Sequence, residues 1–200
     1  MTTLRKAILG TIIFLTLGLF WSSTVLDKYK EEARAKNAMK HAYMVHQALF
    51  AYAQTHDQTF PTGEKNSNEA LRKLFPEGLT PAPEESWFFQ PGSPWHGTLK
   101  APDGIVGTKE TGFAKALSRN ENHFSYCSGY STDRDDSTLP LIYDEKYPGA
   151  DTDQGKSKSG VVVRLGGNAK VIDLTSDKDS SVIREQIEKS SNGKALRPDG

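Results

Sequence analysis

An internal disulfide is excluded in this chain, because the sequence contains one cysteine, Cys127. Cysteine pairing therefore gives no indication of the compartment in which the protein folds. Cys127 lies in a strand-like run, 123–127, without a flanking positive charge that would favour a reactive thiolate. We expect a buried, unreactive thiol.

The sequence also lacks an excess of either charge, since 25 Lys and Arg residues balance 25 Asp and Glu residues. No global field attracts nucleic acid, and we expect no nucleic-acid partner. The motifs Gly-x-Ser-x-Gly, His-Glu-x-x-His and Cys-x-x-Cys are absent, and Gly166–Asn168 lacks the lysine and serine or threonine of a phosphate-binding loop. We therefore predict a protein that is not an enzyme, with no catalytic and no cofactor-binding residues.

An uncharged, mostly apolar run occupies residues 7–26, behind the short basic leader 1–6 that contains Arg5 and Lys6. About 20 helical residues cover the roughly 30 Å hydrocarbon thickness of a bilayer. The run predicts a single-pass transmembrane helix in the inner (cytoplasmic) membrane, in contact with lipid. A short cytoplasmic N-terminus would place the remaining domain in the periplasm or outside, although basic residues on both sides compete under the positive-inside rule.

A cleaved signal peptide is the alternative interpretation of this run. Its short apolar core would be followed by a cleavage site with small residues. Here the run is long, and Ser22 to Leu26 contain no Ala-x-Ala pattern. These features favour a retained anchor.

The helix is expected to continue through residues 27–56, because 27–55 contain neither proline nor glycine and are rich in helix-forming residues. Ala38, Ala42, Val45 and Leu49 recur at three- and four-residue steps and form one stripe able to pack on a globular partner. His41 and His46 lie roughly 140° apart around the axis. We assign no metal ligands to the helix.

Residues 57–189 are expected to form a small α+β domain, with a flexible tail at 190–200. Asn66, Ser67 or Asn68 can cap a short helix before Pro76. Short apolar runs at 123–127 and 139–143 predict strands, and the segments on either side of Gly166–Asn168 predict a β-hairpin. Residues 180–189 predict one more short helix.

The acidic loops are the candidate metal site. The simpler interpretation is that these acids are solvated loop residues that bind no ion. Calcium requires hard oxygen ligands on flexible loops, but no EF-hand pattern is present. The candidates are Asp133, Asp135, Asp136, Asp151 and Asp153, with Asp144 nearby.

The aromatic residues from Trp87 to Trp95 are expected to close the edge of the core, or alternatively to line a ligand cleft.

The order of segments resembles the bacterial type IV pilin and type II secretion pseudopilin family. The resemblance rests on the leader, the apolar span, the unbroken helix, and the sequences TFPTG, NSNEALRKLF, FFQPGSPW, ENHFSYCSGYS, LPLIYD and VVVRLGGNAKVIDL. It covers roughly residues 1 to 175. It implies a fold in which a long N-terminal membrane-spanning helix packs on a small antiparallel β-sheet head.

The resemblance also implies a structural subunit of a type II secretion or type IV pilus-like assembly, whose partners are other pilin-like subunits or secretion-system proteins. Prepilin-type cleavage would fall between Gly10 and Thr11, which places Leu15 at the fifth mature position where the family has glutamate. Leu15 and the helical stripe from Ala38 to Leu49 are the expected assembly residues. The alternative is a tethered extracytoplasmic module that binds a ligand or calcium without forming a filament.

Overall fold

The computed structural model of the chain describes residues 3–63, 65–76, 78–80, 82–89, 101–111, 113–144, 159–173, 177–189 and 194–198, with main chain alone at 3–24, 109, 177–180 and 184. The chain divides into two compact units, Met1–Ala33 and Arg34–Gly200. In the first unit, the described side chains Val25, Leu26 and Tyr29 are exposed.

The first helix, α1, spans Thr3–Thr55 and is 53 residues long. Its length follows from the absence of helix breakers in its second half. It ends where Asp57 and Gln58 adopt left-handed φ angles of 50° and 60°. The N–H groups of His56 and Gln58 both donate to the Ala53 carbonyl and close the last turn. Pro61 then follows, in an extended segment that cannot continue the helix.

The head contains one five-stranded, fully antiparallel sheet with the order β4-β3-β2-β1-β5. The strands are β1 Ser125–Ser128, β2 Pro140–Tyr143, β3 Ser159–Arg164, β4 Ala169–Asp173 and β5 Lys194–Leu196. Every residue of β1 and β2 is buried. Because successive side chains point to opposite sides of a sheet, both faces of its centre are covered.

The C-terminal part of α1 contributes to the same core as the sheet. Core residues are Ala38, Ala42, Val45 and Leu49 of α1 together with Tyr126, Leu141, Ile142, Val161 and Val163 of the strands. The α+β class and the helix packed on an antiparallel sheet are therefore confirmed.

Two shorter helices complete the head. α2 covers Ser67–Arg72 and begins at Asn66, whose side-chain oxygen accepts from the N–H of Glu69 at 2.9 Å, as the capping pattern predicts. α3 covers Asp177–Lys189 and buries Ile183 and Ile187 in the core. The predicted hairpin is also confirmed, since β3 pairs with β4 across the turn 165–168.

The C-terminal segment differs from the flexible tail expected at 190–200. Residues Lys194–Leu196 form β5, which pairs with β1 through Tyr126↔Leu196 and Cys127↔Ala195. The Leu196 side chain is buried. Main-chain pairing and one apolar anchor hold this short strand, although its sequence has no alternating pattern.

Among the helices whose side chains the structure describes, none combines the length and the apolar character that crossing a bilayer requires. The predicted span 7–26 lies mostly outside the described side chains, so it stays a prediction.

Candidate functional site

The stripe predicted as an assembly surface on α1 faces the core of the head. Ala42, Val45 and Leu49 are fully buried and Ala38 is 5% exposed. These small and branched side chains let the helix lie close to the strands. The stripe is thus occupied within the same chain.

Two aromatic side chains are exposed on another face of α1. Tyr43 is 48% and Phe50 is 41% exposed. Seven residues separate them, which is close to two helical turns, so they lie on one face; Tyr43 and Val45 are about 200° apart around the axis. The exposed aromatic face therefore lies opposite the buried stripe. Gln47 lies between the two rings on the same side and also borders the adjoining cavity.

A cavity of about 550 Å³ lies beside this aromatic face. Tyr43, Gln47 and Phe50 of α1 form one wall, and Leu165–Asn168 in the β3–β4 turn contribute to another. Aromatic and amide side chains in one depression can contact a partner through both apolar and hydrogen-bonding groups.

His46 joins α1 to the β3–β4 turn at this cavity. Its Nε2 lies 2.9 Å from the Leu165 carbonyl oxygen, and the side chain is 7% exposed. Burial lowers the pKa of His46, although the hydrogen bond to Leu165 acts in the opposite direction. Neutral His46 with its proton on Nε2 donates to Leu165, so the residue has a structural role in holding the turn.

A second histidine forms a buried pair with an aspartate. His123 Nε2 lies 3.6 Å from Asp144 Oδ1, and both side chains are almost completely buried. Nδ1 of His123 is 2.5 Å from the Phe88 carbonyl oxygen, so Nδ1 carries the hydrogen and donates to it. Asp144 Oδ2 accepts from the N–H of Val161.

The geometry of this pair favours a protonated Asp144 beside a neutral His123. At 3.6 Å the two atoms are too far apart for a hydrogen bond, and neither has a hydrogen-bond partner among the described residues. Burial raises the pKa of Asp144 to about 7, and burial lowers the pKa of His123 to about 3. Two neutral side chains avoid a buried charge without a hydrogen-bond partner.

The predicted calcium candidates between β1 and β2 serve local turns. The N–H of Ser131 donates to Asp135 and that of Thr138 donates to Asp136, at 2.7 and 2.8 Å, while the Ser131 hydroxyl donates to Asp133. Hydrogen bonds lower the pKa values of Asp133 and Asp136. Within the described ranges, these carboxylates do not belong to a group of three converging metal ligands.

A different group of acids does converge. Glu85, Asp103 and Glu121 place one ligand atom each within 4.8 Å of one another. Glu85 begins a 3₁₀ turn, Glu85–Phe88, and is 4% exposed; Glu121 is equally buried, and Asp103 is exposed. No local motif connects these three positions in the sequence, so the sequence did not predict that these acids lie together.

Hydrogen bonds satisfy only part of this carboxylate cluster. The N–H of Leu117 donates to Glu85 Oε1 at 2.9 Å, and that of Ser118 donates to Glu121 Oε2 at 2.7 Å. Glu85 Oε2 is buried and accepts no hydrogen bond from the part of the chain that the structure describes. Burial and the two neighbouring carboxylates raise the pKa of Glu121.

The aromatic and thiol candidates belong to the core. Trp87 is 5% exposed and Phe88 is fully buried, so they do not line an open cleft. Cys127 is fully buried in β1, as expected.

Several predicted positions lie outside what the structure describes. They are Asp151, Asp153 and Trp95, and the side chains of Thr11 and Leu15; Gly10 lies in the part of α1 for which only the main chain is described. Comparison of the chain with protein-family models, with curated proteins and with solved structures finds no match.

Proposed function

We propose that this chain is a membrane-anchored, pilin-like structural subunit that takes part in a type II secretion or type IV pilus-like assembly. In this proposal it has no enzymatic activity. Residues 7–26 hold it in the inner membrane as a single pass, and the head lies in the periplasm or outside. Its partners are membrane lipid and other pilin-like subunits or secretion-system proteins.

One observation carries the proposal: α1 is a single helix, Thr3–Thr55, that contains the apolar run 7–26 and whose C-terminal part contributes to the core of an antiparallel head. A soluble α+β domain needs only the buried second part of such a helix. An uncharged run of about 20 helical residues is what an anchor requires, because helices satisfy all internal main-chain groups in lipid. An apolar run and a core-forming segment in one helix support the proposal that α1 both anchors the head and serves as an assembly helix.

The face of α1 with Tyr43 and Phe50 is the proposed contact with a neighbouring subunit. The opposite face is occupied by the head core, so only this side of residues 38–50 presents large apolar side chains. Aromatic residues of this kind contribute much of the binding energy in protein interfaces. The cavity beside them can accept side chains of the neighbour.

A double variant, Tyr43→Glu with Phe50→Glu, tests this contact in the full-length chain. We expect self-association in detergent, measured by chemical crosslinking and light scattering, to decrease at least tenfold, because two charges would be desolvated in the interface. Circular dichroism should show an unchanged fold, since both side chains are exposed.

Val171→Glu is the matched control. Val171 is 38% exposed on β4, away from α1 in sequence, and its substitution should leave association unchanged. Wild-type protein that stays monomeric at all concentrations, or a folded double variant that associates like wild type, contradicts the proposal.

The second candidate function is a tethered extracytoplasmic calcium-binding or ligand-binding module without filament assembly. The carboxylate cluster of Glu85, Asp103 and Glu121 favours it. A monomeric protein that binds calcium would support this function alone, whereas calcium binding by a self-associating protein is compatible with the first.

A further inference from the structure

We propose that Glu85, Asp103 and Glu121 form a calcium-binding site in the head. The site is distinct from the aspartates between β1 and β2, and it does not depend on whether the chain assembles. Three observations support it: the convergence of three carboxylates, the buried and unsatisfied oxygen of Glu85, and the lack of a compensating cation among the described residues.

The spacing fits a hard divalent cation. The three ligand atoms lie within 4.8 Å of one another. Calcium binds oxygen at about 2.3–2.6 Å, so two ligands on opposite sides of one ion are about 4.6–5.2 Å apart. Carboxylates are preferred calcium ligands, and water and main-chain carbonyl groups would complete the six to eight positions.

The burial of Glu85 provides the second argument. Its side chain is almost completely buried, and among the residues that the structure describes only Oε1 has a donor, the N–H of Leu117. A buried carboxylate oxygen without a partner is costly. A cation between the three acids would give Oε2 a partner and would remove the like-charge repulsion with Asp103 and Glu121.

The surrounding charges give no other compensation. In the described ranges, no Lys, Arg or His forms an ion pair with Glu85, Asp103 or Glu121. Each of the three acids directs one oxygen to a main-chain N–H group: Glu85 Oε1 accepts from Leu117, Asp103 Oδ1 from Ile105 and Glu121 Oε2 from Ser118. These bonds orient the carboxylates.

A calcium ion would connect three segments of the head: the 3₁₀ turn at Glu85–Phe88, the loop that contains Asp103, and the turn from Ser118 to Glu121. The competing explanation is a proton on Glu121, whose pKa is raised by burial. The two explanations predict different responses to added calcium.

Thermal unfolding of the full-length protein in detergent separates them. After treatment with EGTA, we expect calcium at about 100 times its Kd to raise Tm by roughly 5–10 °C. Titration calorimetry should detect calcium binding to the same sample. An unchanged Tm and no binding heat would overturn the proposal and favour a proton on Glu121.

Glu85→Gln locates the ion. The amide can still accept from Leu117 N–H, but it lacks the charge, so the calcium-dependent increase in Tm should disappear. In EGTA the variant should melt at or above the wild-type temperature, because one of three mutually repelling charges is removed. A calcium shift of wild-type size in this variant would overturn the site.

Two further variants make the result independent of whether Glu85→Gln folds. Asp103 is exposed, and Asp103→Asn retains an acceptor for Ile105 N–H; it should also lose most of the shift. Asp133→Asn is the matched control in the other acidic loop and should retain the full shift. Loss of the shift in Asp133→Asn with retention in Asp103→Asn would place the ion in the other loop and refute the proposed site.

Discussion

Burial of Asp144 beside His123 makes the stability of the protein depend on pH. The raised pKa of Asp144, about 7 against 3.8 in the unfolded chain, means that the folded state holds a proton that the unfolded state loses. This contribution to stability is complete below pH 3.8 and is lost as the pH rises through about 7.

Asp144→Asn should remove this loss. The amide has nearly the shape of the protonated carboxyl and can still accept from Val161 N–H, but it does not titrate. Between pH 4 and 7, the stability of the variant relative to wild type should increase by up to about 1.4 kcal/mol per pH unit. Urea unfolding at several pH values measures this difference.

Asp136→Asn is the control for that series. Hydrogen bonds lower the pKa of this exposed aspartate. The stability that it contributes is therefore present above its unfolded pKa of 3.8 and is lost only as the pH falls below that value. Its difference from wild type should stay constant from pH 4 to 7. An Asp144→Asn difference that is equally constant contradicts a proton on Asp144 in the folded state. His41 and His46, whose pKa values are also lowered, affect wild type and variants alike.

The turn between β3 and β4 shows how one small residue allows two elements to meet. Gly167 has φ of +84°, and a Cβ placed there would lie 3.2 Å from Cε1 of His46 on α1. Only glycine adopts this φ without strain and leaves space for the imidazole. The hairpin and the helix can therefore share the His46 to Leu165 hydrogen bond.

Gly167→Ala should destabilise the protein by roughly 1–3 kcal/mol in urea unfolding, because strain and the close contact add. Gly78→Ala is the matched control: its φ is +60°, but a Cβ would meet no atom within 4 Å. It should cost about 1 kcal/mol, from strain alone. Equal effects at the two positions would show that the contact with His46 is unimportant.

Local chemistry explains which elements could be predicted from the sequence. The Asn66 cap, the hairpin at 165–168 and the end of α1 before Pro61 each depend on neighbouring residues, and the structure has all three. β5 was not predictable, because the three residues Lys194–Leu196 become a strand only by pairing with β1, far away in the sequence.

The candidate site was less predictable for the same reason. Acids close in sequence, Asp133 to Asp136, suggested an ion site but are used by hydrogen bonds within their own turns. Glu85, Asp103 and Glu121 are far apart in the chain and converge only through the fold. The stripe on α1 was recognised correctly as a packing face, but periodicity cannot tell whether the partner is the same chain or another.

Considered as a whole, the chain combines an apolar N-terminal run with a head whose core includes the last turns of the same helix. The buried stripe of α1 faces the core. Tyr43 and Phe50 are therefore the large apolar side chains that residues 38–50 expose. Assembly, in our proposal, uses this second face. The carboxylate cluster lies in the loops of the head and can bind calcium whether or not subunits associate.

The mature N-terminus of the membrane-bound protein, determined by intact-mass and peptide mass spectrometry, tests the central claim most directly. We expect most or all of the apolar run 7–26 to be retained: the chain starts at Thr11 if it is processed like a pilin, or at Met1 or Thr2 if it is an unprocessed anchor. In either case the protein stays in the membrane fraction after carbonate washing. A mature chain that starts beyond Ser22 and is recovered in the soluble fraction would contradict the account.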